Sequence, residues 1–331
     1  MTDPSARRAQ RQPQERAQGV RHVRVSAEAA GQRVDNFLLA ELRGVPRALV
    51  YRLLRRGEVR VNKGRVKPQQ RLQAGDDVRI PPVRTPTRDA ERPVPAGLTA
   101  ALAERILYED SRLLVLDKPA GVAVHGGSGV AHGVIEALRA GRPELTLELV
   151  HRLDRETSGC LMVAKRRSAL RFLHAQLRAG AVAKRYRALL LGPLAGPLQR
   201  VDLPLAKNQL QGGERMVRVD AATGKPALTV FRRVAAYGGM TLVDVDLHTG
   251  RTHQIRVHAA AIGAPVAGDD KYGRPEHRAQ ARALGLERLF LHAAELGFRA
   301  REDAAPITVT APLPEALAAV MQRAEEQSRA L

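Results

Sequence analysis

The sequence predicts an α+β protein of two domains, the larger one built on a mainly antiparallel, mixed sheet, and three observations carry that expectation. After residue 104, short alternating apolar segments outnumber helix-spaced ones. Residues 23–80 form a compact run in which helix spacing gives way to strand alternation. Between the two, residues 81–95 hold five prolines, which fit neither a helix nor a sheet interior. At 331 residues the chain has enough material for about two cores.

Taken in order, residues 1–22, "MTDPSARRAQRQPQERAQGVRH", are polar and Arg-rich without apolar periodicity, and read as a disordered basic tail. In the small domain, 23–80, "VDNFLLAELRGVPRALVYRLLRRG" has helix-spaced apolar residues broken at Gly44-Val45-Pro46. "EVRVNKGRVKPQQRLQAGDDVRI" then alternates like short strands, with Asn62-Lys63-Gly64 as a turn. A linker is expected over 81–104 and the large domain over 105–331. That domain opens with "ILYEDSRLLVLDKPAGVAVHGG", read as strand, turn, buried strand and a Pro/Gly loop. Gly126-Gly127-Ser128-Gly129 lacks the Lys-Ser/Thr pair or GxGxxG spacing of a nucleotide loop and reads as a turn. A strand enters "HRLDRETSG", a second runs over Leu161–Ala164, and a helix follows with Leu170, Leu173 and Leu177 on one face and a stop at Gly180. Further alternating segments surround "THQIRVHAAAIG", which reads as a helix ending at Gly263.

Charge narrows the function. Lys and Arg total 54 against 34 Asp and Glu, a net +20, and most of the excess is arginine, whose planar fork suits phosphate. A polyanion is the expected partner. Residues 31–80 alone carry 12 Lys/Arg against 5 Asp/Glu. Arg47, Arg52, Arg55, Arg56, Arg60, Lys63 and Arg65 crowd the second helix and first hairpin, and the helix has no matching acids, so a nucleic-acid surface is favoured over a merely solvated face. No apolar run approaches the roughly 20 residues of a membrane span, and the N-terminus lacks a signal-type apolar stretch, so a cytoplasmic protein without membrane contact is expected. A single cysteine, Cys160, excludes an internal disulfide and a Cys-rich zinc site. Aromatics make up 3% with no Trp, so phosphate contacts rather than stacking should dominate binding.

The chemistry centres on "HRLDRETSG", 151–159, where Asp154 stands between Arg152 and Arg155. An aspartate beside an arginine is most often a salt-bridged loop residue. Here a strand feeds the segment and another follows, placing Asp154 on a loop at the sheet surface, and both arginines would favour its ionised form. An ionised Asp can act as nucleophile or base. "AKRYRALLLG" puts Tyr186 on the opposite strand face from Arg185 and Arg187, so a phenol could meet a flat base while the cations meet phosphates; a half-buried strand tyrosine is an equal alternative. "LHTGRTHQIRVH" puts Arg251 at a helix N-terminus, where exposed amides favour anions and an arginine can hold a carboxylate bidentately. His248, His253 and His258 lie within eleven residues, but without the i, i+4 spacing of a zinc pair or an HExxH, so no metal site is expected.

"HRLDRETSG", "AKRYRAL", "GRTHQIRVH", "PVAGDDKYG" and "LFLHA", in that order, resemble the RluA family of pseudouridine synthases, and "LVYRLLRRGEVRVNKGRVKPQQRLQAGD" resembles an S4 RNA-binding domain; together they span about 31–315. "KNQLQGGERMVRVD" is most similar to the RluC branch, which modifies large-subunit (23S) ribosomal RNA. The resemblance implies that uracil is detached from ribose, rotated and rejoined through carbon. It implies that Asp154 attacks C1′ or removes the C2′ proton, that Arg251 pairs with Asp154, and that Tyr186 packs on the target base and assists proton removal from C5. It further implies that Arg152 enters the space left by the flipped nucleotide. Arg152, Arg155, Arg47, Arg52, Arg55, Arg56 and Lys63 are then the expected RNA contacts. No nucleotide cofactor or metal is expected, the partner is 23S rRNA or its assembly precursors, and a monomer without protein partners is expected. A non-catalytic S4-type RNA-binding protein, or a nucleosidase or nuclease acting on RNA, are the alternatives.

Overall fold

The computed structural model describes residues 19–42, 45–83, 93–126, 130–209 and 215–329, and the chain divides into two compact units, 1–93 and 94–331. Residues 1–18 of the expected tail, nine residues of the expected linker (84–92) and the centre of the "KNQLQGGERMVRVD" stretch (210–214) lie outside the described residues, as do three of the four residues of the Gly126–Gly129 turn.

In the small unit, α1 (Val34–Glu41) and α2 (Arg47–Arg56) pack beside a four-stranded sheet of order β1-β4-β2-β3, made of β1 (Arg21–Arg24), β2 (Arg60–Val61), β3 (Gly64–Arg65) and β4 (Asp77–Ile80). Val34, Leu38, Val50, Val59, Val78 and Ile80 form its core. Gly57, at φ +69°, closes α2, its amide and that of Glu58 turning back onto the carbonyls of Leu53 and Leu54. The β2–β3 hairpin turns through Asn62 and Lys63, both at positive φ, so that Lys63 is presented at its exposed tip. Arg47, Arg52, Arg55 and Arg56 are exposed along α2, although Arg56 lies 3.8 Å from Glu58, an acid just past the helix end. One boundary moves: Arg21 and His22, expected in the tail, pair with Ile80 and Arg79 as part of the sheet.

The large unit begins earlier than the linker expectation allows, because α3 (Ala96–Ala103) folds within 81–104 and buries Leu102 in the core of this unit. Its central ten-stranded sheet runs β10-β13-β14-β9-β15-β8-β6-β5, with β16 on β15 and β7 on β8. The strands are β5 (Ile106–Glu109), β6 (Leu113–Lys118), β7 (Glu148–Leu149), β8 (Ser158–Ala164), β9 (Ala183–Leu191), β10 (Leu198–Asp202), β13 (Leu228–Tyr237), β14 (Met240–Leu247), β15 (Leu291–Phe298) and β16 (Ile307–Thr310). β11 (Leu205–Gln209) and β12 (Arg215–Val219) form a separate hairpin. Helices α4 (Val134–Gly141), α5 (Arg167–Arg178), α6 (Gln254–Ala261), α7 (Pro275–Ala283) and α8 (Glu315–Arg329) complete the unit.

The strand pairs are antiparallel except β8 with β15, which run parallel with Ser158 opposite His292 and Gly159 opposite Ala293. β6 and β8 read as continuous apolar runs because both faces are covered. Leu114, Leu116, Leu161 and Val163 share a core with Leu102, Ile135 and Leu138, while Leu113, Val115, Cys160 and Met162 pack with Leu173 of α5 on the other side. Cys160 is thereby a buried free thiol, pushed up to about 12 by burial. Among the described residues no helix is long and apolar enough to cross a membrane.

Candidate active site

Asp154 sits in the loop between β7 and β8, held by three sets of contacts. The Thr157 amide donates to the Asp154 carbonyl (3.1 Å) and closes a turn. The buried ammonium of Lys118, at the end of β6, donates to the carbonyls of Pro119 (2.7 Å), Val122 (2.8 Å) and Arg155 (3.0 Å), and burial pulls it down to about 7. His151 accepts the Met162 amide at Nε2 (3.0 Å), tying the loop to β8. That bond requires a neutral imidazole, and burial pulls His151 down to about 4. Its stabilisation is complete above the unfolded-state value near 6.5 and is lost as pH falls from there to about 4, because in that window the unfolded chain binds the proton more readily. His151→Gln, whose amide oxygen can accept the same bond, is expected to remove on the order of 2 kcal/mol of pH-dependent stability between pH 6.5 and 4. Urea titrations across that range check it, and an unchanged slope would show that His151 does not carry the effect.

An open cleft is lined by Arg152, Asp154 and Thr157 from this loop, Tyr186 from β9, Leu247, residues 250–253 before α6, residues 254–256 of its first turn, and Leu291. Arg152 is exposed beside Asp154. Arg155 turns the other way, its Nε donating to Gly121 O (2.9 Å), so its guanidinium braces a loop rather than flanking the carboxylate. The Tyr186 ring is buried, and burial, with Asp154 adding to it, raises its phenol far above the ordinary value. Arg185 and Arg187 do lie on the opposite face of β9, where each is paired with acids while Arg185 stays exposed: Arg187 Nε is 2.7 Å from Asp244, and Arg185 lies 3.2 Å from Glu295 and 3.3 Å from Asp246. A phosphate would have to compete with those cross-strand pairs.

The turn before α6 is set by one buried amide. Gln254 Oε1 accepts from Thr249 Oγ1 (2.7 Å) and the Arg251 amide (3.0 Å), while its Nε2 donates to Leu228 O (2.9 Å) and Thr229 Oγ1 (3.0 Å). α6 begins at Gln254, so Arg251 precedes the helix, and its Nε donates to Pro226 O (3.1 Å). Among the described residues the ion-pair contact of Asp154 is with His253, Nε2 to Oδ2 at 3.9 Å, and not with Arg251. Arg251 and Asp154 line one cleft without pairing in it.

His253 holds an uncommon backbone for a non-glycine residue, φ +53°, at the N-cap of α6. Its Nδ1 is 2.8 Å from the Tyr272 hydroxyl, which also accepts the Val217 amide (3.1 Å). Arg256 lies 5.1 Å over the Tyr272 ring and forms two 2.7 Å bonds to the fully buried carboxylate of Asp269. Asp269 also accepts the amides of Lys271 (2.9 Å) and Tyr272 (3.0 Å). Burial works against the Asp269 charge, but Arg256 and these amides outweigh it and hold the carboxyl below its usual value. "GRTHQIRVH" and "PVAGDDKYG" are thus one physical unit. The three histidines go separate ways: His248 is exposed, His253 faces Asp154, and His258 is buried between Thr229 Oγ1 and Leu203 O, both 2.9 Å away.

Arg256, Asp269, Tyr272, Lys118 and His151 have no role in the sequence reading, and His253 enters it only as a metal ligand that the spacing rejects. A signal existed in "QIRVHAAA", where Gln, Arg and His recur in an apolar helix, an arrangement that is costly unless each is partnered.

A sequence model of the RNA pseudouridylate synthase family matches residues 112–261, and one of the S4 domain matches residues 32–78. Ribosomal large subunit pseudouridine synthase C of Escherichia coli (strain K12) is 53% identical over 308 residues, covering 92% of this chain and 96% of that protein. The protein of the same name from Yersinia pestis is 54% identical over 301 residues, covering 90% and 93%. The solved structure of human RNA pseudouridylate synthase domain containing 4 matches with a TM-score of 0.58 at 24% identity, covering 69% of this chain and 95% of that one, a likeness of fold.

Proposed function

Because the chain belongs to the RNA pseudouridylate synthase family, we propose that it isomerises uridine to pseudouridine in large-subunit ribosomal RNA, with Asp154 as the reacting carboxylate. The observation that carries the reading is that Asp154 lines one open cleft together with Arg152, Arg251 and Tyr186. Duplex stacking shields sugar and base alike, so the target nucleotide must be extruded, at about a few kcal/mol, before it can reach a carboxylate in such a cleft. Arg152, exposed at the rim, suits the space that the nucleotide vacates, and Tyr186 offers its ring to the uracil face. Asp154 either attacks C1′ or removes the C2′ proton. In both cases the N1–C1′ bond breaks, a C5–C1′ bond forms, C5 loses a proton and N1 gains one, so atoms and electrons balance without any other reactant.

The test uses the purified chain and a large-subunit rRNA transcript labelled with tritium at uridine C5. Tritium release matched by pseudouridine, with no free uracil, is the expected result. Free uracil or a cut strand would mark a nucleosidase or nuclease, and binding without any product would leave a non-catalytic RNA-binding protein.

The small domain supplies backbone affinity in this reading, through exposed Arg47, Arg52, Arg55 and Lys63. Deleting residues 1–80 is expected to weaken rRNA binding and to lower the slope of log K against log salt by about 3, since roughly four fewer phosphates are neutralised. An unchanged affinity and slope, measured by filter binding across salt concentrations, would assign that domain another task.

A further inference from the structure

The loop that carries Asp154 is also held from outside the cleft. Arg288 belongs to the segment before β15, 130 residues beyond Ser158, and does not line the cleft. Its Nη2 donates to Ser158 Oγ (2.8 Å) and makes a longer contact with the Glu156 carbonyl (3.5 Å), while its Nε donates to the Leu289 carbonyl (3.3 Å). Building on the synthase reading above, we propose that Arg288 is a positioning residue for Asp154: by fixing residues 156 and 158, it sets the orientation in which the carboxylate meets the ribose.

Three observations support this role. The contact is fully matched, because Arg288 can only donate and the Ala311 carbonyl, 3.3 Å from His292 Nε2, can only accept. Nε2 therefore carries a proton. Burial keeps the His292 ring neutral, so Ser158 Oγ accepts from Arg288 and directs its own proton to His292 Nδ1, 2.9 Å away. Ser158 and His292 are 1% and 0% exposed, which shields the chain of bonds from solvent. Next, the anchor straddles the residue that holds the backbone of Asp154. Glu156 and Ser158 flank Thr157, whose amide donates to the Asp154 carbonyl (3.1 Å) and which itself lines the cleft, so a shift at 156 and 158 passes to Asp154 through one hydrogen bond. Last, the same segment meets the site on two sides. Leu291 lines the cleft, whereas His292, the next residue of β15, points to the other face and meets Ser158 there. Glu156 and Asp117 face the half-buried guanidinium and offset the cost of its burial.

The consequence is kinetic. A reacting group displaced by about 1 Å can lose about 10²-fold in rate, because the bound geometry no longer approaches that of reaction. Affinity is set elsewhere, by phosphate contacts that do not involve this anchor.

Single turnovers at saturating rRNA, read by tritium release from C5, would be measured for Arg288→Ala, Ser158→Ala, the double variant and Arg112→Ala, with rRNA affinity and thermal midpoint recorded for each. Arg112 precedes β6, at the opposite end from Lys118, and donates to the Ala300 carbonyl (3.1 Å), so its loss removes a bond of the same kind away from the loop. Arg288→Ala is expected to slow the reaction by about 10²-fold with affinity within about threefold. Ser158→Ala should lose about tenfold, and the double variant no more than Arg288→Ala alone, since both act through one contact. Arg112→Ala should keep its rate below its thermal midpoint. A rate for Arg288→Ala within about threefold of the unaltered chain would overturn the proposal, as would an equal loss in Arg112→Ala or losses that add in the double variant, the marks of a role in stability alone. A fall in affinity matching the fall in rate would also overturn it, making Arg288 an RNA contact. Should Arg288→Ala not fold, Ser158→Ala decides alone, and a rate near that of the unaltered chain overturns the proposal. If the unaltered chain makes no pseudouridine, the synthase reading falls and this proposal with it; if that control succeeds and the variants fail these criteria, only Arg288 is misassigned.

Discussion

Asp154→Asn is expected to lower pseudouridine formation by roughly 10⁴-fold or more while leaving rRNA affinity within about tenfold. The substitution is nearly isosteric, so the turn closed by the Thr157 amide on the Asp154 carbonyl, a backbone contact, persists. What disappears is the anion. Attack on C1′ needs a carboxylate lone pair on a charged oxygen, removal of the C2′ proton needs a base, and an amide supplies neither. Affinity should survive because phosphate contacts from Arg152 and the small domain supply most of it in this reading. Tritium release from C5-labelled uridine measures the first quantity and filter binding the second. Turnover near that of the unaltered chain would remove Asp154 from the chemistry, and loss of binding together with activity would show that the variant acts through structure.

Asp269→Ala should have the largest effect on stability. Its carboxylate is fully buried and makes two 2.7 Å bonds to Arg256, whose side chain is only 10% exposed. Removing one partner leaves an uncompensated buried guanidinium, a loss of about 3–5 kcal/mol and roughly 10 °C in the thermal midpoint of the large unit. Activity should fall as well, because Arg256 supports the Tyr272 ring and Tyr272 supports His253. Calorimetry on the variant checks the first claim. A midpoint within about 2 °C of the unaltered chain would mean that Arg256 finds another partner.

Much of this architecture was legible in the residues. The antiparallel sheet, the helix stopped after Leu177, the β2–β3 turn at Asn62-Lys63 and the loop position of Asp154 follow from period, glycine placement and apolar runs, all of which are local. α3 was hidden because prolines precede it and its face is short, so only its packing against α4 reveals it as part of the large domain. At the site, the neighbours of Asp154 were misjudged where proximity in sequence stood in for proximity in space. Arg155 is adjacent in the chain yet bonds Gly121, whereas His253 is 99 positions away and faces the carboxylate. Arg185 and Arg187 looked unpaired because their partners, Asp244, Asp246 and Glu295, belong to neighbouring strands that no local pattern identifies.

The parallel pairing of β8 with β15 carries a consequence for how the protein is made. Gly159, at φ +107°, lies so close to the carbonyl of Ala293 that a Cβ would collide with it, and Ser158 bonds His292, 134 residues further on. A ribosome that has released the Asp154 segment must therefore still synthesise the chain through Ala293 before β8, already paired with β6, acquires its parallel neighbour. Contacts of such span are entropically late in folding. The nascent chain thus carries its small, locally wired RNA-binding unit well before it carries a finished catalytic loop, and an early terminated product would hold RNA without modifying it.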